Sequence, residues 1–199
     1  AAGHPCLVGH ELDRLVDDTI ELADQLRARF DEGKIYLAGL SWGSTLGVLA
    51  ADRAPDRFHA FIGNGQMVSQ RETDRRIYDD LLAHADRTAN AELRARLEAW
   101  GPPPYADLPY PNAFVMGWYE ALEPPYRPSE AYLARGEASG LDPFGVLGSE
   151  YDLVAKVNVV RGLIDMFTIT YPQLQETDFR TDVPRVEVPF YLVDGTAEL

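Results

Sequence analysis

Apolar and polar positions follow two different periods in the first third of the chain. From Glu11 to Phe30 apolar residues recur mostly every three or four positions among charged ones, which predicts an amphipathic helix. Short apolar runs at 34–38 and 58–62 predict buried strands, and the alanine-rich segment 44–54 between them predicts a buried helix. The order helix, strand, helix, strand indicates an α/β fold whose parallel strands are joined by crossover helices.

The middle of the chain is helical in pattern and carries far more charge. Apolar positions from Leu153 to Phe167 predict one long helix, with Pro172 beyond its end. A last apolar run at 189–193 predicts a further strand. Other helices are predicted at 71–85, 91–100 and 130–135.

These patterns predict an α/β core interrupted by an insertion. The core is expected at 1–65 and again at 185–199, with a mainly helical cap at 66–184 between them. Only three strands are predicted, and a three-stranded parallel sheet would leave an exposed edge that is normally paired or covered. We therefore expect these residues to be an internal portion of a longer protein, and a naturally shortened, inactive protein is the alternative.

Composition and charge argue against nucleic acid as a partner and against a membrane span. The chain has 32 acidic and 18 basic residues and a formal net charge of −14, so phosphate backbones would repel it and nucleic acid is a poor partner. No apolar run reaches the roughly 18 residues of a membrane span, and no secretory signal is visible. The single cysteine, Cys6, allows a reducing compartment, so a cytoplasmic location is favoured, whereas the oligomeric state stays open.

Gly39-x-Ser41-x-Gly43 is the motif that carries chemistry. It lies between a predicted strand and a predicted helix, as a nucleophile elbow requires. We expect Ser41 to occupy a tight, strained turn, with glycines two positions before and after it because larger side chains would collide with neighbouring elements. The helix that follows directs its N-terminus at the site, and the backbone N–H of Trp42 is expected to be an oxyanion donor.

The segment 36–47, which reads YLAGLSWGSTLG, resembles the elbow of α/β-hydrolases related to proline iminopeptidase. The similarity continues to Gly65 and resumes at 171–174 and 186–199. It implies an α/β-hydrolase fold with a helical cap over the site and a Ser-acid-His triad that needs no metal or organic cofactor. Leu40 departs from the family, whose members commonly carry glycine, glutamine or histidine there.

The same resemblance assigns further site residues. The triad acid follows the last strand, at Glu198, and Asp194 is the alternative. Glu150 and Asp152 correspond to cap carboxylates that receive the free amine of a peptide. A competing interpretation is that both acids only begin the helix at Leu153, because acidic residues favour helix N-termini.

The catalytic base has no candidate in this chain. In this fold the histidine follows the acid, but only Leu199 follows Glu198. The four histidines all stand far upstream, and we expect them to be structural or exposed to solvent: His4, His10, His59 and His84. The triad histidine is therefore expected outside these 199 residues. The resemblance also implies further strands and a loop with a second oxyanion donor before the elbow, so the chain is expected to be incomplete at both ends.

The favoured function is a proline iminopeptidase-like aminopeptidase that acts on a small peptide. Two alternatives remain open, an esterase of the same fold and a non-catalytic binding protein that has kept the fold. A histidine within some tens of residues after Leu199 in the parent sequence would separate the hydrolases from the binding protein.

Overall fold

The computed structural model describes residues 11–105, 111, 115 and 152–194 and divides the chain into two compact units. The first unit combines Ala1–Asp74 with Ile169–Leu199, and the second is Arg75–Thr168. Both boundaries between the units fall inside long helices, at 74/75 and 168/169.

A parallel three-stranded sheet forms the centre of the first unit, with β1 (Ile35–Leu40), β2 (Phe58–Asn64) and β3 (Phe190–Val193) in that order. At the carboxyl edge, Leu40 of β1 pairs with Asn64 of β2, and Asn64 in turn pairs with Val193 of β3. The last residues of all three strands therefore lie side by side, and the segments that follow them begin at one edge of the sheet.

Helices α1 (Glu11–Phe30) and α2 (Trp42–Arg53) both contribute side chains to the hydrophobic core of this unit. Helix α1 has acidic residues in its first turn and basic ones in its last, which complements the helix dipole. A short 3₁₀ helix at Pro55–Arg57 then leads into β2. The core cluster joins helix and sheet side chains, among them Val16, Val48, Ala51, Phe58 and Phe61.

The second unit has a core of its own. Helix α3 (Gln70–Arg87) enters this unit, and α4 (Ala91–Trp100) follows it, with the side chain of Asn90 capping α4 by accepting from the Leu93 N–H at 3.0 Å. The cluster contains Ile77, Tyr78, Leu81, Ala85, Leu93, Leu97, Tyr105 and Val115.

The chain returns to the sheet through α5 (Leu153–Glu176) and α6 (Phe179–Asp182). Pro172 lies inside α5, so the expectation that the helix ends before it is wrong. Burial fixes the turn that contains the proline, because Tyr171 before it and Leu174 after it are only 1% and 7% exposed. Anchoring of this kind offsets the lost backbone hydrogen bond that makes proline unfavourable in a helix interior.

The compact units differ in extent from the predicted cap at 66–184. Residues 66–74 and 169–184 belong to the sheet-bearing unit. An isolated antiparallel bridge joins Ser69 to Asp178, and Phe179 and Val183 belong to the core cluster around Phe61. Residues 66–74 and 169–184, at the two ends of the predicted cap, therefore make contacts within the sheet-bearing unit through pairs more than 100 residues apart in sequence.

Most predicted elements in the described part of the chain are present. Helices α1 and α4 have the predicted bounds, and β1 and β2 extend two residues further at their carboxyl ends than predicted. The helix predicted at 130–135 lies outside the described residues. Within the described residues, no helix has the length and apolar character needed to cross a membrane.

Candidate active site

Ser41 is the single residue between the end of strand β1 and the start of helix α2. Strand β1 ends at Leu40 and α2 begins at Trp42, and Ser41 between them has φ 49° and ψ −120°. A positive φ of this kind is rare for a residue with a side chain and costs about 1–3 kcal/mol. The expected sharp, strained turn is therefore present, and the Ser41 side chain is exposed at the carboxyl edge of the sheet.

Among the described residues, close packing requires only one of the two motif glycines, Gly39. A Cβ atom on Gly39 would lie 2.3 Å from the carbonyl oxygen of Gly43 and 2.8 Å from Ser44 Cα, far inside van der Waals contact. A Cβ atom on Gly43 would meet nothing within 4 Å among the described residues. The expectation that both positions exclude larger side chains for steric reasons thus holds at Gly39, whereas the described residues leave room for a Cβ atom at Gly43.

The Ser41 hydroxyl is not used to cap the helix. Serine at an N-cap position usually accepts a hydrogen bond from a backbone N–H of the first turn, but Ser41 makes no such side-chain bond. Its backbone is held instead: the Ser41 N–H donates to the Asn64 carbonyl at 2.9 Å, and the Ser41 carbonyl accepts from the Ser44 N–H at 2.8 Å. Trp42 follows in the first turn of α2, where N–H groups have no acceptor within the helix.

Asp194 stands at the same edge of the sheet. It comes directly after β3, and its Oδ1 accepts a hydrogen bond from the Gln66 N–H at 3.1 Å. Gln66 itself lies two residues beyond the end of β2. The segments that follow β2 and β3 are therefore bonded together next to the strand end from which Ser41 emerges.

Two of the predicted site residues, Glu198 and Glu150, lie outside the described residues. Asp152 is described and exposed, and its Oδ1 accepts the Ala155 N–H at 2.7 Å. This bond caps the start of α5, as the competing interpretation of the acidic pair requires for Asp152.

The described histidines have no visible connection to Ser41. His59 is the second residue of β2 and its ring lies 5.2 Å from that of Tyr36. His59 is five positions along the strand from Asn64, whose carbonyl binds the Ser41 N–H, so the two residues are roughly 16 Å apart. His84 lies on α3 in the second unit, and His4 and His10 lie outside the described residues.

Sequence reasoning missed a buried carboxylate at Asp74, which is only 3% exposed. It accepts hydrogen bonds from the Tyr171 hydroxyl at 2.6 Å and from the side-chain amides of Gln70 at 2.6 Å and Gln175 at 2.8 Å. Burial raises the pKa of Asp74, and the three hydrogen bonds oppose that change. The available signal was the four-residue spacing of Gln70 with Asp74 and of Tyr171 with Gln175, which places each pair on one helix face.

The described part of the chain contains no set of side chains that could bind a metal ion. No group of three or more histidine, cysteine, aspartate or glutamate side chains comes together there. The described site consists of a strained serine, backbone N–H groups at a helix N-terminus and a carboxylate at a neighbouring strand end.

Comparison with known proteins assigns the family. A family model described as alpha/beta hydrolase fold matches residues 11–153, well over half of the chain. The chain is also similar to Probable aminopeptidase YbaC of Bacillus subtilis (strain 168), with 29% identity over 94 residues. That match covers 47% of this chain and 30% of the relative, so the aligned segment spans less than a third of the relative's length. No solved structure matches the chain significantly. The chain belongs to the alpha/beta hydrolase fold family.

Proposed function

We propose that the protein is a serine hydrolase that releases the N-terminal residue, favouring proline, from small peptides. The observation that carries the proposal is the strained turn at Ser41, whose hydroxyl is exposed and free of the capping bond expected at its position. Similarity to a protein named as a probable aminopeptidase supports the choice of substrate class.

In this proposal Ser41 Oγ attacks the carbonyl carbon of the scissile peptide bond. A histidine of the full-length protein takes the serine proton and passes it to the leaving amine, and Glu198 holds that imidazole in the required tautomer. The Trp42 N–H donates to the oxyanion in the first turn of α2, where the helix dipole also favours negative charge. Water then hydrolyses the acyl-enzyme and restores the serine.

Glu150 is the proposed receptor for the substrate ammonium group. Asp152 is the less suitable of the two carboxylates because its Oδ1 already caps α5. The chain therefore offers a matched pair of variants. Glu150→Gln should raise KM for a substrate with a free amine by about tenfold or more, because it removes a charge-assisted bond. Asp152→Asn keeps an oxygen that can cap the helix and should leave KM within about twofold.

The decisive experiment treats the full-length protein with a fluorophosphonate probe and maps the labelled peptide. Labelling at Ser41, and its loss in Ser41→Ala, are the expected results. Hydrolysis of a prolyl arylamide, without hydrolysis of its N-acetylated form, would identify an aminopeptidase. Turnover of esters alone would identify an esterase, and absence of labelling would leave the non-catalytic binding protein. Equal effects of Glu150→Gln and Asp152→Asn on KM would contradict the assignment of the amine to Glu150.

A further inference from the structure

We propose that Ser44 is a positioning residue whose side chain fixes the strained turn at Ser41 and connects that turn to the carboxyl end of β3. The inference rests on the proposed function, because positioning matters to the reaction only if Ser41 is the nucleophile. Every residue in this connection belongs to the sheet-bearing unit.

A strained backbone persists only where its surroundings hold it in place. At Ser41 the N–H is bound to the Asn64 carbonyl, and the carbonyl is bound twice by Ser44, through the N–H at 2.8 Å and through Oγ at 2.5 Å. The Ser44 side chain is therefore a direct restraint on the peptide that follows the nucleophile.

The single hydroxyl proton of Ser44 has two possible acceptors. The Ser41 carbonyl lies 2.5 Å from Ser44 Oγ and the Gly65 carbonyl lies 3.4 Å away, so the proton goes to Ser41. The same oxygen accepts the Met67 N–H at 3.0 Å. Ser44 is 0% exposed, so water cannot replace either bond.

Met67 continues the connection to the last strand. Its neighbour Gln66 donates its backbone N–H to Asp194 Oδ1 at 3.1 Å, and Asp194 is the first residue after β3. A continuous path thus runs from the Ser41 carbonyl through the Ser44 hydroxyl and the peptide at 66–67 to the Asp194 carboxylate. It joins the nucleophile turn to the chain segment that leads, four residues later, to Glu198. Asp194 is then a positioning carboxylate through its Oδ1.

The rate constant for fluorophosphonate labelling of Ser41 in the full-length protein tests this proposal. Ser44→Ala should lower that rate constant by about tenfold to a hundredfold, because misplacement of a reacting atom by about 1 Å has effects of this size. Thr45→Val is the matched control, since Thr45 is the next residue, is only 3% exposed and also loses a hydroxyl. Its rate constant should stay within about threefold of the wild-type value.

Further measurements separate positioning from a general loss of structure. In substrate hydrolysis Ser44→Ala should lower kcat while KM changes by less than about threefold, because substrate binding is not what the bond supports. Asp194→Ala alone should slow labelling, but the double variant Ser44→Ala, Asp194→Ala should be no slower than Ser44→Ala, since one break already interrupts the path. Amide exchange at Met67 should accelerate in Ser44→Ala.

The outcomes distinguish this proposal from the proposed function. If the wild-type protein is not labelled at Ser41, the proposed function fails, whatever the Ser44 variants do. If it is labelled and Ser44→Ala reacts at the wild-type rate, Ser44 is not a positioning residue. If the labelling rate constant of the double variant falls by the product of the two single-variant losses, the connection to β3 is overturned. Unchanged exchange at Met67 would overturn the hydrogen bond itself, independently of any activity.

Discussion

Alanine substitutions at the two glycines of the elbow should have opposite effects on stability. A Cβ atom at Gly39 would lie 2.3 Å from the Gly43 carbonyl oxygen and 2.8 Å from Ser44 Cα. Both atoms are backbone of the first turn of α2, so neither can rotate away as a side chain would. Gly43 lies inside that helix with open space around its Cβ position among the described residues, and alanine is favoured there.

The size of the two effects follows from this geometry. To accept Gly39→Ala, the first turn of α2 must move by about 1 Å, because non-bonded carbon atoms prefer separations of about 3.5–4.0 Å. Overpacking together with loss of a Ser44 bond to Ser41 should lower the free energy of unfolding by about 3 kcal/mol. Gly43→Ala should raise it by up to about 1 kcal/mol, because glycine loses more backbone freedom in a helix than alanine does.

Urea unfolding followed by circular dichroism measures the change in the free energy of unfolding for each variant. The comparison requires that the slope of this free energy against urea concentration is the same in the variants and the wild type. In a chain of this size 1 kcal/mol corresponds to about 2–4 °C in Tm, so the two variants should differ by roughly 8–16 °C. Equal destabilisation by the two variants would refute the reasoning, because it would mean that the motif requires both glycines alike. A loss below about 1 kcal/mol at Gly39 would also refute it, since the contact would then relax without cost.

Three further predictions test other parts of the fold. Ser41→Gly should be more stable to urea than Ser41→Ala by about 1 kcal/mol, because glycine adopts φ 49° without strain. Gly47→Ala should lower the free energy of unfolding by about 1–3 kcal/mol, since its Cβ would lie 2.1 Å from the buried ring of Phe61. Gly162→Ala, whose Cβ would have no described residue within 4 Å, is the control in the same urea assay. Burial raises the pKa of Asp74, so the folded protein binds this proton more tightly than the unfolded chain does. The unfolding free energy of the wild type relative to Asp74→Asn should therefore fall as pH rises above about 4, and a rise in urea titrations would contradict this sign.

The secondary structure of the core could be predicted because its sequence signals are local. Helix α1 has a regular apolar face and charges suited to both ends, and its bounds were predicted without error. Strands β1 and β2 were predicted too short because Gly39 and Gly63 look like turn residues in the sequence. Both glycines in fact pair with each other in the sheet, where Gly39 also allows the first turn of α2 to approach closely.

The contacts that residues 66–74 and 169–184 make within the sheet-bearing unit could not be predicted, because the residues that meet lie far apart in the sequence. Asp74 belongs to a helix that is charged throughout, and only the fold brings Tyr171 and Gln175 to its carboxylate. The bond between Gln66 and Asp194 spans 128 residues. Local patterns carry no information about such pairs, whereas the strand–Gly-x-Ser-x-Gly–helix arrangement is local and predicted the turn at Ser41.

The two serines of the elbow divide a task that one serine usually performs. At an ordinary helix start the N-cap hydroxyl accepts from a backbone N–H of the first turn, and that oxygen is then occupied. Here the N-cap position is Ser41, and the bond between cap and first turn is made in reverse, from the side chain of Ser44 to the Ser41 carbonyl. The turn is restrained without using the Ser41 hydroxyl. A nucleophile needs that arrangement, because a hydroxyl committed to the helix would have to break its capping bond before it could attack a substrate.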